Sequence, residues 1–506
     1  MIPLGDAARP LWPVPAPAHP RLEGDGEADV VVVGGGIAGL TAAVLLARGG
    51  ARVRVLEAGL VGQGTTGAST AKVSALQATR LTAIARAHGE DALVGYVEAQ
   101  RAAQAWVVER VEGRAVDCRL GRHDAVTYAP TPADLDTIER EASAAARAGL
   151  AVEVVDRVPE LPFPVAGAVR LPDQVQLDPR AWTADLAAEV AATPGCHVHE
   201  RSRVTGLDPR TRRVTTDHGA IRTGEVVLAT LMPISDRGAF FARVEPKMSY
   251  GIAVDVGGPV DVPMAYGVGS PSRSLRSATS PDGRPVLVVG GGGHAVGRET
   301  ATLDEHRDLL AFAEEHFSVE AVTHRWAAHD LQPVDELPYA GRMDRLPRSP
   351  WVMTGFAKWG MTNGTAAAMT VAGRILGTDP RPWDALFDPR RHHGLHGARE
   401  TARVNAGVGK EMVAGWLRAG SATTPGGPRV HRRAGLPCAR LADDGEVSLV
   451  CTHLGGIVRW NPAAGTWDCP LHGSRFDQGG TVVAGPAVRR LTRIDGEPDD
   501  GDPTTR

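Results

Sequence analysis

The stretch from Ala28 to Glu57 constrains the fold of this 506-residue chain most strongly, because its hydrophobic pattern changes twice within about thirty residues. Val30–Val33 has the continuous apolar character of a buried strand, Ile37–Arg48 has the composition of a helix, and Val53–Leu56 is apolar again. This alternation predicts a strand–helix–strand unit and therefore a parallel sheet in an α/β domain.

A glycine motif lies at the first turn of this unit. Gly34, Gly36 and Gly39 match G-x-G-x-x-G, in which glycine permits a tight turn, close approach of a pyrophosphate, and helix–strand packing. Backbone N–H groups at the start of the following helix, at Ile37 and Ala38, can face the phosphates. We therefore predict a dinucleotide site.

Glu57 and Ala58 follow the second strand. A carboxylate here can accept hydrogen bonds from an adenosine ribose and disfavours the 2′-phosphate of NADP. The motif alone does not distinguish FAD from NAD. A second glycine run, Gly290–Gly293, lacks the spacing of a nicotinamide site, and we predict that it is a loop after the strand Pro285–Val289.

Residues 352–364 form a second junction between a predicted strand and a predicted helix, Thr365–Leu376. Small residues at this junction let the backbone approach a planar ligand. The partial positive charge at a helix N-terminus suits the anionic edge of a reduced flavin. This junction is the predicted site of the flavin ring.

Cys451, His453, Cys469 and His472 form the pattern C-x-H-x15-C-x-x-H near the C-terminus. Two thiolates can hold one iron and two imidazoles a second, as in a Rieske-type [2Fe–2S] cluster. One tetrahedral zinc ion is the metal alternative, although zinc fingers usually pair Cys with Cys and His with His along the chain. Unliganded surface residues are the remaining alternative, and the pattern favours the cluster.

Composition excludes several classes of partner. Lys and Arg number 55 against 59 Asp and Glu, and the net charge of −4 without a concentrated basic block argues against nucleic acid. We expect no membrane span, because no run reaches about 18 apolar residues. The five cysteines form no disulfide framework, which favours a cytoplasmic protein.

Several segments together resemble the D-amino-acid-oxidase/glycine-oxidase-like (DAO) family of FAD-dependent oxidoreductases. The resemblance covers roughly residues 28–377, and the stretch Gly-Phe-x-Lys-Trp-Gly-Met-Thr-Asn-Gly is similar to a branch that often carries a Rieske domain. It implies an α/β FAD-binding Rossmann-type domain interleaved with an α+β substrate domain, plus a small all-β Rieske domain. The segments that carry it are residues 28–57, Gly64–Lys72, Val227–Thr230, Leu337–Gly341 and Gly355–Gly364.

The resemblance also implies site residues. Val204, at the end of a predicted strand Ser202–Val204, would contact adenine. The candidate catalytic residues are Lys72, Tyr250 and Lys358, although each lysine could instead be solvated or ion-paired and the tyrosine could be packing. The implied cofactor-binding residues are Gly34, Gly36, Ile37, Ala38, Gly39, Glu57, Ala58, Thr65, Thr66, Val204, Gly355, Trp359, Gly360, Met361 and Thr362.

Two departures from the families stand out. The arginine that clamps the carboxylate of a free amino acid is not identifiable. Many Rieske domains have further cysteines at the positions of Gly456 and Leu471, where they form a supporting disulfide, and their absence implies a more labile or lower-potential cluster.

The expected organisation places a Pro-rich leader at 1–27 and the oxidoreductase at 28–390. Its FAD-binding parts are about 28–80, 180–235 and 325–380, and its substrate domain is about 81–179 and 236–324. A helix, Glu400–Arg418, and a linker occupy 391–427, the Rieske domain occupies 428–494, and an acidic tail occupies 495–506.

The implied activity is oxidation of a small amine or amino-acid-like substrate by hydride transfer to FAD, with one-electron transfer to the cluster. An external electron acceptor or oxygen would take the electrons. An electron carrier or redox sensor without small-molecule turnover is the alternative. A Rieske oxygenase is disfavoured, because no two-His, one-carboxylate iron site is recognisable outside the cluster.

Overall fold

The computed structural model describes residues 2, 4, 8–13, 16–299, 301–418, 427–441 and 445–494. The helices in these residues are α1 (Ile37–Arg48), α2 (Arg80–His88), α3 (Glu90–Arg114), α4 (Leu135–Arg147), α5 (Pro179–Ala192), α6 (Thr302–His316), α7 (Gly360–Leu376) and α8 (Gly394–Arg418).

The strands in the same residues are β1 (Gly26–Val33), β2 (Val53–Leu56), β3 (Lys72–Val73), β4 (Gly121–Ala129), β5 (Glu153–Val155), β6 (Gly167–Gln176), β7 (His197–His199), β8 (Val204–Asp208), β9 (Arg213–Thr216), β10 (Gly219–Leu228), β11 (Val244–Asp255), β12 (Met264–Gly267), β13 (Arg273–Thr279), β14 (Pro285–Ala295), β15 (Ala321–Pro333), β16 (Tyr339–Arg342), β17 (Trp351–Thr354), β18 (Val430–Arg433), β19 (Leu436–Arg440), β20 (Glu446–Ser448), β21 (Arg459–Asn461), β22 (Thr466–Asp468), β23 (Arg475–Phe476) and β24 (Val482–Ala484).

The first large sheet has the order β16-β17-β10-β1-β2-β7, and β9 joins β8 to β10. Its central strands are parallel, as the strand–helix–strand pattern predicts. Both faces of β1 are covered, and Val31 and Val32 are completely buried. Helices α1 and α7 pack together against this sheet, because alanines and glycines allow their backbones to approach closely.

The second large sheet is mixed and has the order β15-β11-β14-β13-β12-β4-β6-β3, with β5 beside β6. Helix α6 packs against β11 and β14, and the apolar residues between them form a second core. The predicted combination of a Rossmann-type sheet with an α+β partner is confirmed.

The C-terminal residues form two small antiparallel sheets, β18-β19-β20 and β21-β22-β23-β24. They enclose a core of their own around Trp467 and Phe476. The predicted small all-β domain is confirmed, whereas most of the predicted linker and all of the acidic tail, residues 419–426 and 495–506, lie outside the described residues.

The predicted Pro-rich leader contacts the rest of the protein where it is described. Leu11, Trp12 and Leu22 are buried, and the Trp12 indole N–H donates to the Ser69 carbonyl over 2.9 Å. Within the described residues, no helix combines the length and apolar character that a bilayer crossing requires.

Two local predictions about strands are wrong. Gly290–Gly293 is not a loop but continues β14, because its residues pair with β11 across a bulge. Val204 begins a strand instead of ending one, since the hydroxyl of Ser202 accepts the Leu22 N–H and donates to the Glu200 carbonyl.

Two helices begin earlier than predicted. Helix α7 begins at Gly360, because the Asn363 N–H already donates to the Trp359 carbonyl. Helix α8 begins at Gly394, six residues before the predicted start, and the Gly397 N–H donates to the His393 carbonyl.

Candidate active site

A cavity of about 780 Å³ opens at the carboxyl ends of β1 and β2, between the two large sheets. Its volume falls in the range that holds small molecules and cofactors. The predicted residues that line it are Gly34, Gly36, Ile37, Ala38, Glu57, Ala58, Thr65, Thr66, Val204, Trp359, Gly360 and Met361, together with all three catalytic candidates, Lys72, Tyr250 and Lys358.

The glycine turn is a close-packed cradle. A Cβ on Gly34, which has φ of 111°, would lie 2.4 Å from the Ala229 carbonyl oxygen. A Cβ on Gly39 would lie 2.0 Å from the Gly34 oxygen, so Gly39 serves helix–strand packing and does not line the cavity. A Cβ on Gly36 would lie 3.0 Å from the Thr66 hydroxyl. The turn therefore fits the pyrophosphate of a dinucleotide.

The Glu57 carboxylate is fixed at one end of this cradle. It accepts the backbone N–H groups of Gly35 and Gly59, each over 2.7 Å. Burial raises the pKa of Glu57, and those two hydrogen bonds together with the charge of Arg203 oppose the rise. The fixed carboxylate is a suitable acceptor for ribose hydroxyls.

The loop before α7 is held in an unusual conformation at the other end of the cavity. Ala357 and Lys358 both have positive φ, 50° and 70°. Such angles are uncommon for residues other than glycine and tend to mark functional sites. The loop is held because the Lys358 N–H donates to the Asp330 carboxylate and the Ala357 N–H donates to the Leu331 carbonyl.

Asp330 is a cavity residue that sequence reasoning missed. Burial raises its pKa to about 6, and the N–H groups of Leu331 and Lys358 lower it in part. No motif marks this position, because Asp330 lies within β15, far in sequence from the loop that it holds. Gly290 and Gly291, placed in a loop by the sequence, also line the cavity.

Lys72 is buried in the cavity wall. Its Nζ donates to the Ala265 carbonyl over 2.9 Å and to the Ser274 hydroxyl over 2.8 Å. Burial and then the neighbouring charge of Arg276 lower the pKa of Lys72 to about 7. A solvated lysine is therefore not what the structure contains at this position.

The other two catalytic candidates lie at the edges of the cavity. Burial lowers the pKa of Lys358, whose Nζ reaches the neighbourhood of Gly293. The Tyr250 hydroxyl is hydrogen-bonded to Nε2 of His294 over 2.8 Å, and its ring meets that of His306 on α6 edge-on. Tyr250 is therefore engaged in packing as well as lining the cavity.

Gly355 and Thr362, like Gly39, do not line the cavity. The Thr362 hydroxyl accepts a hydrogen bond of 2.9 Å from Gln77. Gly355 has φ of 75° and lies against Tyr339. Both residues therefore support the loop before α7 from the side that does not line the cavity.

The predicted cluster ligands come together at the edge of the C-terminal domain. Cys451 and Cys469 are buried beside each other, and the hydrogen bond between the two thiols lowers the pKa of Cys451 to about 7. Backbone N–H groups of His453 and Leu454 and the Ser474 hydroxyl also bond to the Cys451 sulfur. Donors of this kind are typical of iron–sulfur sites.

The two histidines form the opposite side of this site. Their ring centroids lie 5.2 Å apart. Nδ1 of His472 is buried without a hydrogen-bond partner, whereas Nε2 of His453 lies 2.9 Å from Oδ1 of Asp236. A buried nitrogen without a partner fits a metal ligand.

The sulfur pair and the imidazole pair could each supply the ligands of one iron of a [2Fe–2S] cluster.

The positions of the missing Rieske cysteines are adjacent in space. A Cβ on Gly456 would lie 2.6 Å from Cδ1 of Leu471 and 3.0 Å from Sγ of Cys469. Leu471 fills the space beside Gly456, so apolar packing replaces a covalent link there.

Comparison with known families agrees with both sites. Residues 29–374 match the model of the FAD dependent oxidoreductase family, DAO, and residues 437–495 match that of the Rieske [2Fe-2S] domain. The chain belongs to the DAO family of FAD-dependent oxidoreductases. The DAO domain binds FAD, and the Rieske domain binds a [2Fe–2S] cluster.

One relative shares the whole architecture of this DAO-family protein. The Bacillus subtilis protein YhfW, named as a Rieske 2Fe-2S iron-sulfur protein, is 30% identical over 497 residues, which is 95% of this chain and 96% of that one. Solved structures share the fold of the larger, DAO part of the chain. Glycine oxidase from Geobacillus kaustophilus is 21% identical with a TM-score of 0.61, over 72% of this chain and 99% of that one. L-proline dehydrogenase from P.horikoshii is 20% identical with a TM-score of 0.57, over 73% of this chain and 98% of that one.

Proposed function

We propose that this protein oxidises a small amine or amino-acid-like substrate at the carbon next to nitrogen, and that the electrons pass singly to the Rieske cluster of the same chain. Bound FAD supplies a hydride acceptor, and a Rieske cluster accepts one electron at a time. One observation carries the proposal. Residues of the Rieske domain, Arg475 among them, line the same cavity as the glycine cradle.

The orientation of the Rieske domain supports electron transfer between the two sites. Both cluster histidines face the oxidoreductase, and Phe241 meets the His453 and His472 rings with centroid distances of 6.1 Å and 5.1 Å. Asp236, from the same segment, pairs with His453. The imidazole side of the cluster site is therefore in contact with the oxidoreductase and not directed at solvent.

An amine-type substrate is supported by Lys72 and by the relatives with solved structures. A hydride leaves the carbon next to an amine only when the nitrogen lone pair is free, so a protonated substrate must first lose a proton. Lys72 is partly neutral near neutral pH, and its two N–H donations leave a lone pair for that proton. Glycine oxidase and L-proline dehydrogenase share the fold.

We assign supporting roles to the remaining site residues. Gly34, Gly36 and Glu57 hold the ADP part of FAD, Val204 contacts adenine, and Trp359 and its neighbours hold the ring. Lys358 polarises the ring or assists oxygen, and Tyr250 orients substrate. An external acceptor or oxygen takes the electrons, and the proposed location is the cytoplasm.

An anaerobic screen of amines and N-methyl amines tests the substrate class. We expect at least one compound to bleach the flavin absorbance of the wild-type holoenzyme. We expect Lys72→Met to slow bleaching, whereas Lys410→Met, on the exposed side of α8, should not. A complete lack of bleaching would instead support an electron carrier or redox sensor.

Loss of the cluster tests the relay. In Cys451→Ala, substrate should still bleach the flavin, but turnover with an external acceptor should be lost. Cys438→Ala is the matched control, because Cys438 is buried in the same domain and its Sγ donates to the Leu436 carbonyl. Unaffected turnover in Cys451→Ala would remove the relay.

A further inference from the structure

The Rieske domain covers one end of the FAD cavity. The covering residues lie in β24 and the segment that follows it. They border the part of the cavity that contains Val204 and Ile234, at the predicted adenosine end. These covering residues are Val483, Ala484, Gly485, Ala487 and Val488.

Arg203 connects this cover to the adenosine cradle. Its Nη2 donates to the Val482 carbonyl over 2.8 Å. Burial lowers the pKa of Arg203, and the charge of Glu57 opposes that shift. One guanidinium therefore interacts with the carboxylate of the ribose site and with the backbone of the Rieske domain.

The two segments also approach each other closely at Gly485. A Cβ on Gly485 would lie 3.5 Å from Cγ2 of Ile234 and 3.7 Å from the Met232 carbonyl oxygen, which is ordinary van der Waals distance. The space between the segments at this point therefore has room for a methyl group but not for a dinucleotide.

The domain is also docked at points away from the FAD cavity. The buried Thr302 hydroxyl donates to Asn461 over 2.7 Å and accepts the Ala463 N–H over 3.2 Å. Gly297 lies so close to the Rieske backbone that a Cβ on it would lie 2.8 Å from the Asp468 carbonyl oxygen. Docking can therefore be disturbed without touching a residue of the FAD cavity.

We propose that the docked Rieske domain is the lid of the adenosine half of the FAD site. FAD then enters and leaves when segment 482–488 moves away, and FAD binding and domain docking stabilise each other by the same free energy. The inference needs only bound FAD and is independent of the proposed substrate.

Hydrogen exchange on the wild-type protein tests this reciprocity directly. The FAD-loaded protein is compared with protein from which FAD has been removed and with the same protein after FAD is added back. We expect FAD to slow amide exchange in 482–488 as well as in the cradle at 34–39. Strand β19 is the internal control, because it belongs to the Rieske domain but does not line the cavity. Unchanged exchange in 482–488 would overturn the proposal.

A matched pair of glycine substitutions tests the other direction. Gly297 and Gly283 both have positive φ, which asparagine tolerates, but a Cβ on Gly283 meets no atom within 4 Å. We expect Gly297→Asn to release FAD about fivefold faster or more, measured by the return of flavin fluorescence, and Gly283→Asn to behave as wild type.

Two further measurements make the variant interpretable. Acid-labile sulfide and the cluster EPR signal report whether Gly297→Asn retains its cluster, and small-angle scattering reports whether the domain has undocked. An undocked domain with unchanged FAD release would contradict the lid. If Gly297→Asn stays docked, hydrogen exchange in segment 482–488 decides whether this segment is the lid.

Discussion

Nε2 of His453, a predicted cluster ligand, lies 2.9 Å from Oδ1 of Asp236, a residue of the oxidoreductase. Asp236→Asn keeps a hydrogen-bond partner but removes a negative charge next to the cluster. We expect the midpoint potential of the cluster to rise, because the electron that it accepts is then repelled less. The rise should be small, since the Asp236 side chain is 61% exposed and solvent screens it.

Potentiometric titration followed by EPR measures this change. Asp217→Asn serves as a control for the charge change, because Asp217 is an exposed acid outside this contact. A potential that falls or does not move would show that His453 and Asp236 are apart when the cluster is loaded.

Lys72→Met should stabilise the apoprotein in a pH-dependent way. Because burial lowers the pKa of Lys72 from 10.5 to about 7, the unfolded chain binds a proton between these values that the folded chain does not. Wild-type stability therefore falls, relative to the variant, as pH decreases from 10.5 to 7, and stays level below 7. Melting temperatures across this range measure the difference, and a pH-independent difference would contradict a neutral Lys72.

Asp330→Ala should loosen the loop that carries Lys358. It leaves the Lys358 N–H without its carboxylate acceptor and so removes one of the two hydrogen bonds that hold the positive-φ loop. We expect a lower melting temperature and weaker FAD binding, with partial rescue in Asp330→Asn, which keeps an oxygen acceptor. An equal loss of thermal stability and of FAD binding in both variants would show that the charge of Asp330 matters and not its hydrogen bond.

Gly39→Ala should abolish FAD binding, because the added Cβ would lie 2.0 Å from the Gly34 oxygen and push the glycine turn apart. Gly64→Ala is the control, since its Cβ would meet no atom within 4 Å although Gly64 also lines the cavity. The flavin-to-protein ratio after purification measures both. Normal flavin content in Gly39→Ala would show that the turn can shift without loss of the site.

Sequence reasoning succeeded where the information is local. The glycine turn and the Cys–His pattern each occupy a short segment whose spacing determines its geometry, and both lead to the cofactors of the matching families. The prediction for Gly290–Gly293 is wrong, because glycine is typical of loops. In this strand the glycines instead permit a bulge beside β11.

Contacts between distant segments could not be predicted. Asp330 holds Lys358, and Arg203 holds the Val482 backbone, across separations that no short pattern encodes. The cover over the adenosine end depends on how a separately folded domain docks, which is determined by surface complementarity. Those features required the structure.

Rapid anaerobic mixing of the wild-type holoenzyme with a bleaching amine tests electron transfer from the flavin to the cluster, with flavin absorbance and the cluster EPR signal followed in the same samples. We expect the reduced-cluster signal to grow as substrate is consumed, within the single chain and independently of protein concentration. A flavin that bleaches completely while the cluster stays oxidised would contradict it.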